Sequence, residues 1–282
     1  YFINEQRLRG PSPDPDKDQI LALGDSFTFG LLLDQEDTYL HLMQEKMGSD
    51  SLQILNGGIG GSGLADWPGW LAEFGQQINP DYILYYMNTE DLERALSKNL
   101  FVLEGDSVIK SQRWKPRDWM FSIGRQGWYQ CLQAHSDFFN LVVKVLWAKV
   151  YFNDLTHGFD PQKTEVPIPD NSEFLINSDY SLRLANHILH NMNNWCSEND
   201  CELIITTTGY FSIEDPPAHT YRLYEWLKEQ NHDFTFFDIT PCVDDLAQND
   251  LSSITIPDDG HPNERGAEII AKCTRQKLPG FL

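Results

Sequence analysis

Short apolar segments recur along the chain, separated by longer stretches in which apolar residues return every three or four positions. Runs of five to nine residues rich in Ile, Leu and aromatic side chains are typical of strands buried on both faces of a sheet. The sequence therefore predicts five such strands, QILALG (19–24), LQILNGG (52–58), DYILYYMN (81–88), CELIITTTG (201–209) and DFTFFDI (233–239).

The intervening stretches have helical periodicity. From Leu182 to Cys196 apolar residues step by three or four positions, with Asn and His filling the other side, which indicates an amphipathic helix. Further helices are predicted after Tyr39, from about Leu64, and around Ala267–Ala271. Strands and helices in this order predict an α/β fold: a flavodoxin-like three-layer α/β/α sandwich with a central, mainly five-stranded parallel sheet.

The regular alternation stops at about 96–178. Two stretches there, at 111–130 and 158–174, have the Pro, Gly and charge content of irregular chain. A long irregular stretch in a compact domain is usually functional or disordered, so we predict one domain, 1–282, with an inserted cap region at about 96–178. Three tryptophans could stack on a sugar or an acyl chain, or could instead anchor the insertion to the core: Trp114, Trp119 and Trp128.

Charge and hydropathy narrow the choice of partners. The 282 residues include 21 Lys and Arg against 42 Asp and Glu, a formal net charge of -21, which repels phosphate backbones and anionic membrane surfaces. We therefore expect no nucleic acid as a partner. No apolar run approaches the roughly 18 residues that span a bilayer. Since the chain opens at Tyr1 rather than at Met, we expect a preceding export signal or membrane anchor, and hence a periplasmic or extracellular location.

The cysteines number five and show no paired CxxC spacing, which indicates neither a zinc site nor a full disulfide framework. A bridge between Cys196 and Cys201 is one alternative. Buried free thiols are the interpretation that we favour for all five: Cys131, Cys196, Cys201, Cys242 and Cys273.

The segment GDSFTFG (24–30) directly follows the first predicted strand. Loops that leave the carboxyl ends of parallel strands gather at one edge of the sheet, where ligands bind. Ser26 in this segment is either the N-cap of the next helix or a nucleophile. The surroundings do not match a GxSxG nucleophile elbow, because position 28 is Thr.

A second polar segment, IPDDGHPNERGAEIIA (256–271), places His261 just before the last predicted helix. A neutral imidazole can take the proton of a serine hydroxyl when a carboxylate fixes its tautomer. Asp258, three residues upstream, is the first candidate for that carboxylate, and Asp259 is the alternative. A plain polar turn leading into a helix would also fit these residues.

Two further segments could supply hydrogen-bond donors to an oxyanion. The first, NGGIGGSG (56–63), follows the second strand, and the Gly61 N–H is its candidate donor; the Lys-Ser/Thr ending of a phosphate-binding loop is absent. The second, YYMNTEDLERA (85–95), follows the third strand and offers the Asn88 amide. Asn88 could instead cap the helix that begins near Glu90.

In this order, Ser26, Gly61, Asn88 and His261 make the chain resemble an SGNH hydrolase of the GDSL esterase/lipase superfamily. The resemblance covers the domain apart from its insertion, and INEQRLRGP (3–11) also resembles the lead-in of exported or anchored members. It implies that Ser26 is the nucleophile, that His261 is the base oriented by Asp258, and that no metal or cofactor is needed. It also implies an oxyanion hole made of the N–H groups of Ser26 and Gly61 and an Asn side chain.

The segment after the third strand, YYMNTEDLERA (85–95), departs from the family pattern. The family usually has Gly-x-Asn-Asp there, whereas alignment on Asp91 and Leu92 puts Glu90 in the Asn position. We therefore expect either that Asn88 reaches the hole or that the hole lacks its amide. The resulting prediction is a serine esterase that acts through an acyl-serine on a small-molecule or carbohydrate ester substrate. The expected substrates are acetyl or other short acyl esters, including those of carbohydrates. The alternatives are a carbohydrate O-acetyltransferase and a non-catalytic module that binds a glycan or envelope partner.

Overall fold

The computed structural model describes residues 1–47, 50–88, 90–98, 100–105, 107–110, scattered positions from 128 to 143, and residues 179–208, 218–229, 232–248 and 250–278. Two compact units are present, residues 1–110 with 174–282 and residues 111–173. All elements named below belong to the first unit.

Most of the predicted insertion at about 96–178 lies outside the described residues, so its role as a cap stays a prediction. Trp114 and Trp119 also lie outside them. Trp128 is described and is 57% exposed, with its ring edge-on to that of Tyr129.

The described strands are β1 (Asp18–Leu23), β2 (Leu52–Asn56), β3 (Tyr82–Met87), β4 (Phe101–Glu104), β5 (Ser107–Lys110), β6 (Glu202–Thr207) and β7 (Thr235–Phe237). Five of them form one parallel sheet in the order β2-β1-β3-β6-β7. Counted along the chain this is the flavodoxin-like order 2-1-3-4-5, and the predicted fold class is confirmed. β4 and β5 form a separate antiparallel hairpin that the sequence pattern did not reveal.

The described helices are α1 (Ser26–Phe29), α2 (Tyr39–Met47), α3 (Trp67–Trp70), α4 (Gln76–Ile78), α5 (Asp91–Lys98), α6 (Asp179–Glu198), α7 (Ala218–Glu229), α8 (Thr240–Ala247) and α9 (Glu264–Lys277). A 3₁₀ turn, Leu64–Asp66, precedes α3, and a π-helical turn, Leu71–Gly75, joins α3 to α4. The four elements form one helical stretch. Within the described ranges, no helix has both the length and the apolar character needed to cross a bilayer.

The two faces of the sheet bury separate cores because successive side chains of a strand point to opposite faces. Leu21 and Leu23 pack into the core that includes residues of α6 and α7. Ile20 and Ala22 pack into the core that includes residues of α2, α8 and α9. The loops that follow the strands are therefore the surface left for chemistry, at the carboxyl edge of the sheet.

The cysteine prediction is wrong for one pair. Cys242 of α8 and Cys273 of α9 form a disulfide across 31 positions of sequence, which spacing alone could not reveal because the two helices meet only in the folded chain. Cys196 and Cys201 are free thiols, the first buried and the second partly exposed. Cys131 lies outside the described residues.

Candidate active site

Ser26 is the first residue of α1, and Asp25 is the N-cap of this helix. The Asp25 Oδ1 atom accepts a hydrogen bond of 2.9 Å from the Phe27 N–H, which is the ordinary contact of a capping side chain. The helix ends after a single turn at Gly30, whose φ of 77° is a left-handed conformation that favours glycine. Ser26 is therefore not itself the cap, and its hydroxyl is left for other contacts.

The turn that carries Ser26 is supported from two sides. A Cβ atom at Gly58 would lie 2.2 Å from the Phe29 nitrogen, so only glycine lets the loop after β2 pack this closely on α1. From the N-terminal segment, the buried guanidinium of Arg9 donates hydrogen bonds to the carbonyl oxygens of Phe29, Gly30 and Leu33 at 2.6 to 2.8 Å. The bonds to Phe29 and Gly30 satisfy carbonyls at the carboxyl end of this short helix, and the bond to Leu33 holds the chain that follows it.

His261 lies against Ser26, although 235 positions separate the two in sequence. The distance from His261 Nε2 to Ser26 Oγ is 2.8 Å, and the imidazole also packs near the Phe27 ring at a centroid distance of 5.0 Å. The loop holds His261 through a 2.8 Å bond from the Ile256 N–H to the His261 carbonyl oxygen. Asn263 then caps α9, accepting from the Gly266 N–H at 3.0 Å.

The carboxylate next to His261 belongs to Asp259 rather than to Asp258. Asp259 Oδ1 is hydrogen-bonded to His261 Nδ1, whereas Asp258 is exposed and bonds to no side chain among the described residues. Asp258 occupies the left-handed position of the turn, with a φ of 61°. The hydrogen bond from the imidazole lowers the pKa of Asp259, which keeps this carboxylate ionised. With the ring proton on Nδ1, Nε2 is left to accept the serine proton.

The glycine-rich loop after β2 passes beside Ser26. A methyl group added at Gly60 would lie 3.9 Å from Ser26 Cβ, whereas one added at Gly61 would meet nothing within 4 Å. No acceptor in the described part of the chain bonds to the N–H groups of Ser26, Gly60 or Gly61. This loop therefore offers a second glycine donor, Gly60, that sequence reasoning did not single out.

Asn88 lies at the end of β3, buried and turned toward the Ser26 turn. Its Nδ2 donates to Asp25 Oδ2 at 3.0 Å, and its backbone N–H donates to Asp91 Oδ2 at 3.0 Å. Tyr85 donates to the same Asp91 oxygen at 2.7 Å. The amide is thus bonded to the residue preceding the nucleophile, and its part in an oxyanion hole stays a prediction.

Glu90 does not turn inward. Its side chain is 61% exposed and is paired with Arg94, four residues further along α5. The Arg94 Nη1 atom reaches in the opposite direction and donates to Asp25 Oδ2 at 2.6 Å and to the Ser62 carbonyl oxygen at 3.0 Å. Glu90 is therefore part of a largely exposed ion pair with Arg94 rather than a carboxylate that faces Ser26.

Burial raises the pKa of Asp91 well above its ordinary value, and the charge of Asp25 raises it further. The folded protein thus keeps a proton that the unfolded chain releases at about pH 4. Since the native state binds more protons above that pH, Asp91 lowers the free energy of unfolding as the pH rises toward its folded pKa.

We expect Asp91→Asn to remove this pH dependence, because the amide does not titrate. The melting temperature of the variant, measured relative to the wild type from about pH 4.5 to about pH 7.5, should rise with pH. Two melting curves that stay parallel over this range would contradict the proton assignment.

Sequence reasoning missed three residues that support Ser26: Asp25 as its cap, Arg9 and Arg94. Only Arg94 could have been noticed in the sequence. Glu90 and Arg94 stand four positions apart in a helical stretch, which is the spacing of an ion pair on one helix face. Neither its partner Asp25 nor the carbonyls bound by Arg9 could be read from spacing.

Comparison with known proteins finds similar solved structures, whereas no protein-family model and no curated protein matches the chain. The chain is similar to a lipolytic G-D-S-L family protein from Desulfitobacterium hafniense DCB-2, with 12% identity, a TM-score of 0.51, and coverage of 92% of this chain and 99% of that chain. It is also similar to the psychrotrophic esterase EstA from Pseudoalteromonas sp., with 13% identity, a TM-score of 0.51 and coverage of 94% and 98%.

A third similar structure is the acetyl xylan esterase AlAXEase, with 11% identity, a TM-score of 0.53, and coverage of 92% of this chain and 99% of that chain. Identities this low establish the fold alone. The chain has the fold of the SGNH hydrolases, as the order of Ser26, Gly61, Asn88 and His261 predicted.

Proposed function

We propose that this protein is a serine esterase of the SGNH type that acts through an acyl-Ser26 intermediate. The observation that carries the proposal is the 2.8 Å contact between Ser26 Oγ and His261 Nε2, with Asp259 on the far side of the imidazole. A nucleophile within hydrogen-bond reach of a base, and the base oriented by a third group, is the arrangement that activates a serine.

In the first half of the reaction, Ser26 Oγ attacks the ester carbonyl carbon while His261 Nε2 takes the hydroxyl proton. Asp259 holds the imidazole by Nδ1 and stabilises the positive charge that forms on the ring. The carbonyl oxygen becomes an oxyanion, which the N–H groups of Ser26 and Gly61 stabilise, with Gly60 and Asn88 as further donors. His261 then returns the proton to the leaving alcohol as the C–O bond of the ester breaks.

In the second half, water attacks the acyl-serine carbonyl and gives its proton to His261. The tetrahedral intermediate collapses, Ser26 Oγ takes the proton back, and a carboxylic acid leaves. If a sugar hydroxyl replaced water, the same steps would transfer the acyl group to that sugar.

We propose short acyl esters, acetate first, as the substrate class. Two comparison proteins support this choice: one is an acetyl xylan esterase, and EstA was captured in a form inhibited by monoethylphosphonate. A phosphonate bonded to a serine resembles the tetrahedral intermediate of ester hydrolysis, which is why such inhibition fits a serine nucleophile.

The alternative of a non-catalytic binding module depended on the departure at Glu90. That carboxylate is paired with Arg94 and mostly exposed, so it does not oppose the charge of an oxyanion. The presence of Glu90 at this position therefore gives no reason to prefer a non-catalytic protein.

A fluorophosphonate probe tests the proposal directly. Because the probe needs an activated serine, we expect one equivalent to attach to the Ser26 peptide, as identified by mass spectrometry, and hydrolysis of p-nitrophenyl acetate to stop in parallel. Heat-denatured protein is the control and should not react. Folded protein that stays unlabelled, while a known serine esterase reacts in the same tube, would refute the proposed function.

A further inference from the structure

Arg94 joins three loops of the site through one guanidinium group. Nη1 donates to Asp25 Oδ2 at 2.6 Å in the loop after β1 and to the Ser62 carbonyl oxygen at 3.0 Å in the loop after β2. Nη2 binds Glu90, at the start of α5 after β3. A planar guanidinium presents its donors in a fixed geometry, so these contacts fix the three loops relative to one another.

The contact with Asp25 bears directly on the nucleophile. Asp25 is fully buried, caps the helix turn that begins at Ser26, and also accepts from the Asn88 amide at 3.0 Å. A shift of the Asp25 carboxylate would therefore move both Ser26 and Asn88. Since Arg94 is the cation bound to this carboxylate, its position determines where the carboxylate sits.

The contact with Ser62 bears on the donors of the oxyanion hole. Ser62 follows Gly60 and Gly61 in the loop that passes beside Ser26, and its own N–H bonds back to the Ile59 carbonyl oxygen at 3.1 Å. Lys98, one helical turn beyond Arg94, donates to the Gly61 carbonyl oxygen at 2.8 Å. The carbonyls of this loop are thus held from α5, and Arg94 alone of these two cations also reaches Asp25.

We infer that Arg94 is a positioning residue that sets the distance between the Ser26 hydroxyl and the oxyanion donors of the loop after β2. The inference rests on the proposed esterase function and adds to it a residue that acts through Asp25 and Ser62. A misplacement of about 1 Å between reacting groups can lower a rate by about a hundredfold. Because the oxyanion forms only in the transition state, such a shift lowers kcat far more than it raises KM.

If Arg94 served only to stabilise the fold, its positive charge would be sufficient, because a buried carboxylate such as Asp25 is costly without a cation. Lysine separates the two roles. Its ammonium can neutralise Asp25, but it cannot bind Asp25, Ser62 and Glu90 together in the geometry of the guanidinium fork. Arg94→Lys should therefore keep the stability of the protein without keeping its rate.

The experiment compares the wild type with Arg94→Lys, Arg94→Gln and a control, Arg183→Gln. Arg183 also donates to a backbone carbonyl, that of Gly105 at 2.8 Å, and it lies on α6 rather than on α5. For each protein, kcat and KM for p-nitrophenyl acetate, the rate of fluorophosphonate labelling at Ser26 and the melting temperature are measured.

We expect Arg94→Lys to melt within a few degrees of the wild type, with kcat lower by about tenfold or more and KM within about threefold. Labelling should slow in step with kcat. Arg94→Gln should lose both kcat and melting temperature, and Arg183→Gln should change neither kcat nor KM.

Two results would overturn the inference while leaving the proposed function intact: a lysine variant whose kcat is within about twofold of the wild type, or one that does not fold. The lysine variant decides the matter even if the glutamine variant fails to fold. A wild type that neither labels at Ser26 nor hydrolyses the ester overturns the proposed function and this inference with it.

Discussion

Ser26→Ala should lower kcat/KM for p-nitrophenyl acetate by about 10⁴-fold or more, because no other group can form the acyl intermediate. The substitution removes one oxygen atom at a position that Asp25 caps and Gly58 packs against, so the fold should remain. Activity measured on purified protein, together with circular dichroism and the melting temperature, checks both expectations.

Ser197→Ala is the matched control for this prediction. Ser197 lies on α6, exposed, and its hydroxyl donates to the Asn193 carbonyl oxygen at 3.0 Å. Its removal should leave kcat/KM unchanged. Residual activity of Ser26→Ala within about tenfold of the wild type would mean that hydrolysis occurs elsewhere or without an acyl-serine.

The second large effect separates the two neighbouring aspartates. Asp259→Asn should lower kcat by about a hundredfold or more, because the amide favours the wrong imidazole tautomer and no longer stabilises the imidazolium. Asp258→Asn should stay within about threefold of the wild type, since Asp258 bonds to no described side chain. The two variants change the same functional group at adjacent positions and therefore control for each other.

The pH profile gives the second readout of this pair. The pKa of Asp259 is lowered by its bond to His261, so wild-type activity should not fall through titration of this carboxylate until the pH is below about 4. If Asp258→Asn lowered kcat more than Asp259→Asn, Asp258 would be the carboxylate that orients His261, and the turn before His261 would have to adopt a different conformation.

The sheet could be predicted, and so could the order in which the site segments follow its strands. Both depend on the local pattern of apolar and polar residues. Short apolar segments such as 19–24 and 52–58 are typical of buried strands, and parallel strands bring the loops that follow them to one edge. Ser26 lies beside the loop of Gly61 and near Asn88 for this reason, whereas His261 lies between α8 and α9 and reaches Ser26 because α9 packs on the sheet. The family pattern then assigned them to loops that do lie together.

The remaining features depend on geometry that spacing does not encode. Asp258 and Asp259 differ by one position, and the left-handed turn residue decides which of them faces the imidazole. The role of Arg94 could not be predicted from spacing, because its partner Asp25 stands 69 positions away. The hairpin of β4 and β5 is too short for its alternation to stand out.

The disulfide between Cys242 and Cys273 encloses the stretch of chain that holds both Asp259 and His261. A covalent link across the ends of a segment limits how far that segment can open when its helices fray. The segment that carries Asp259 and His261 is therefore a covalently closed loop, and fraying of α8 or α9 cannot separate Cys242 from Cys273.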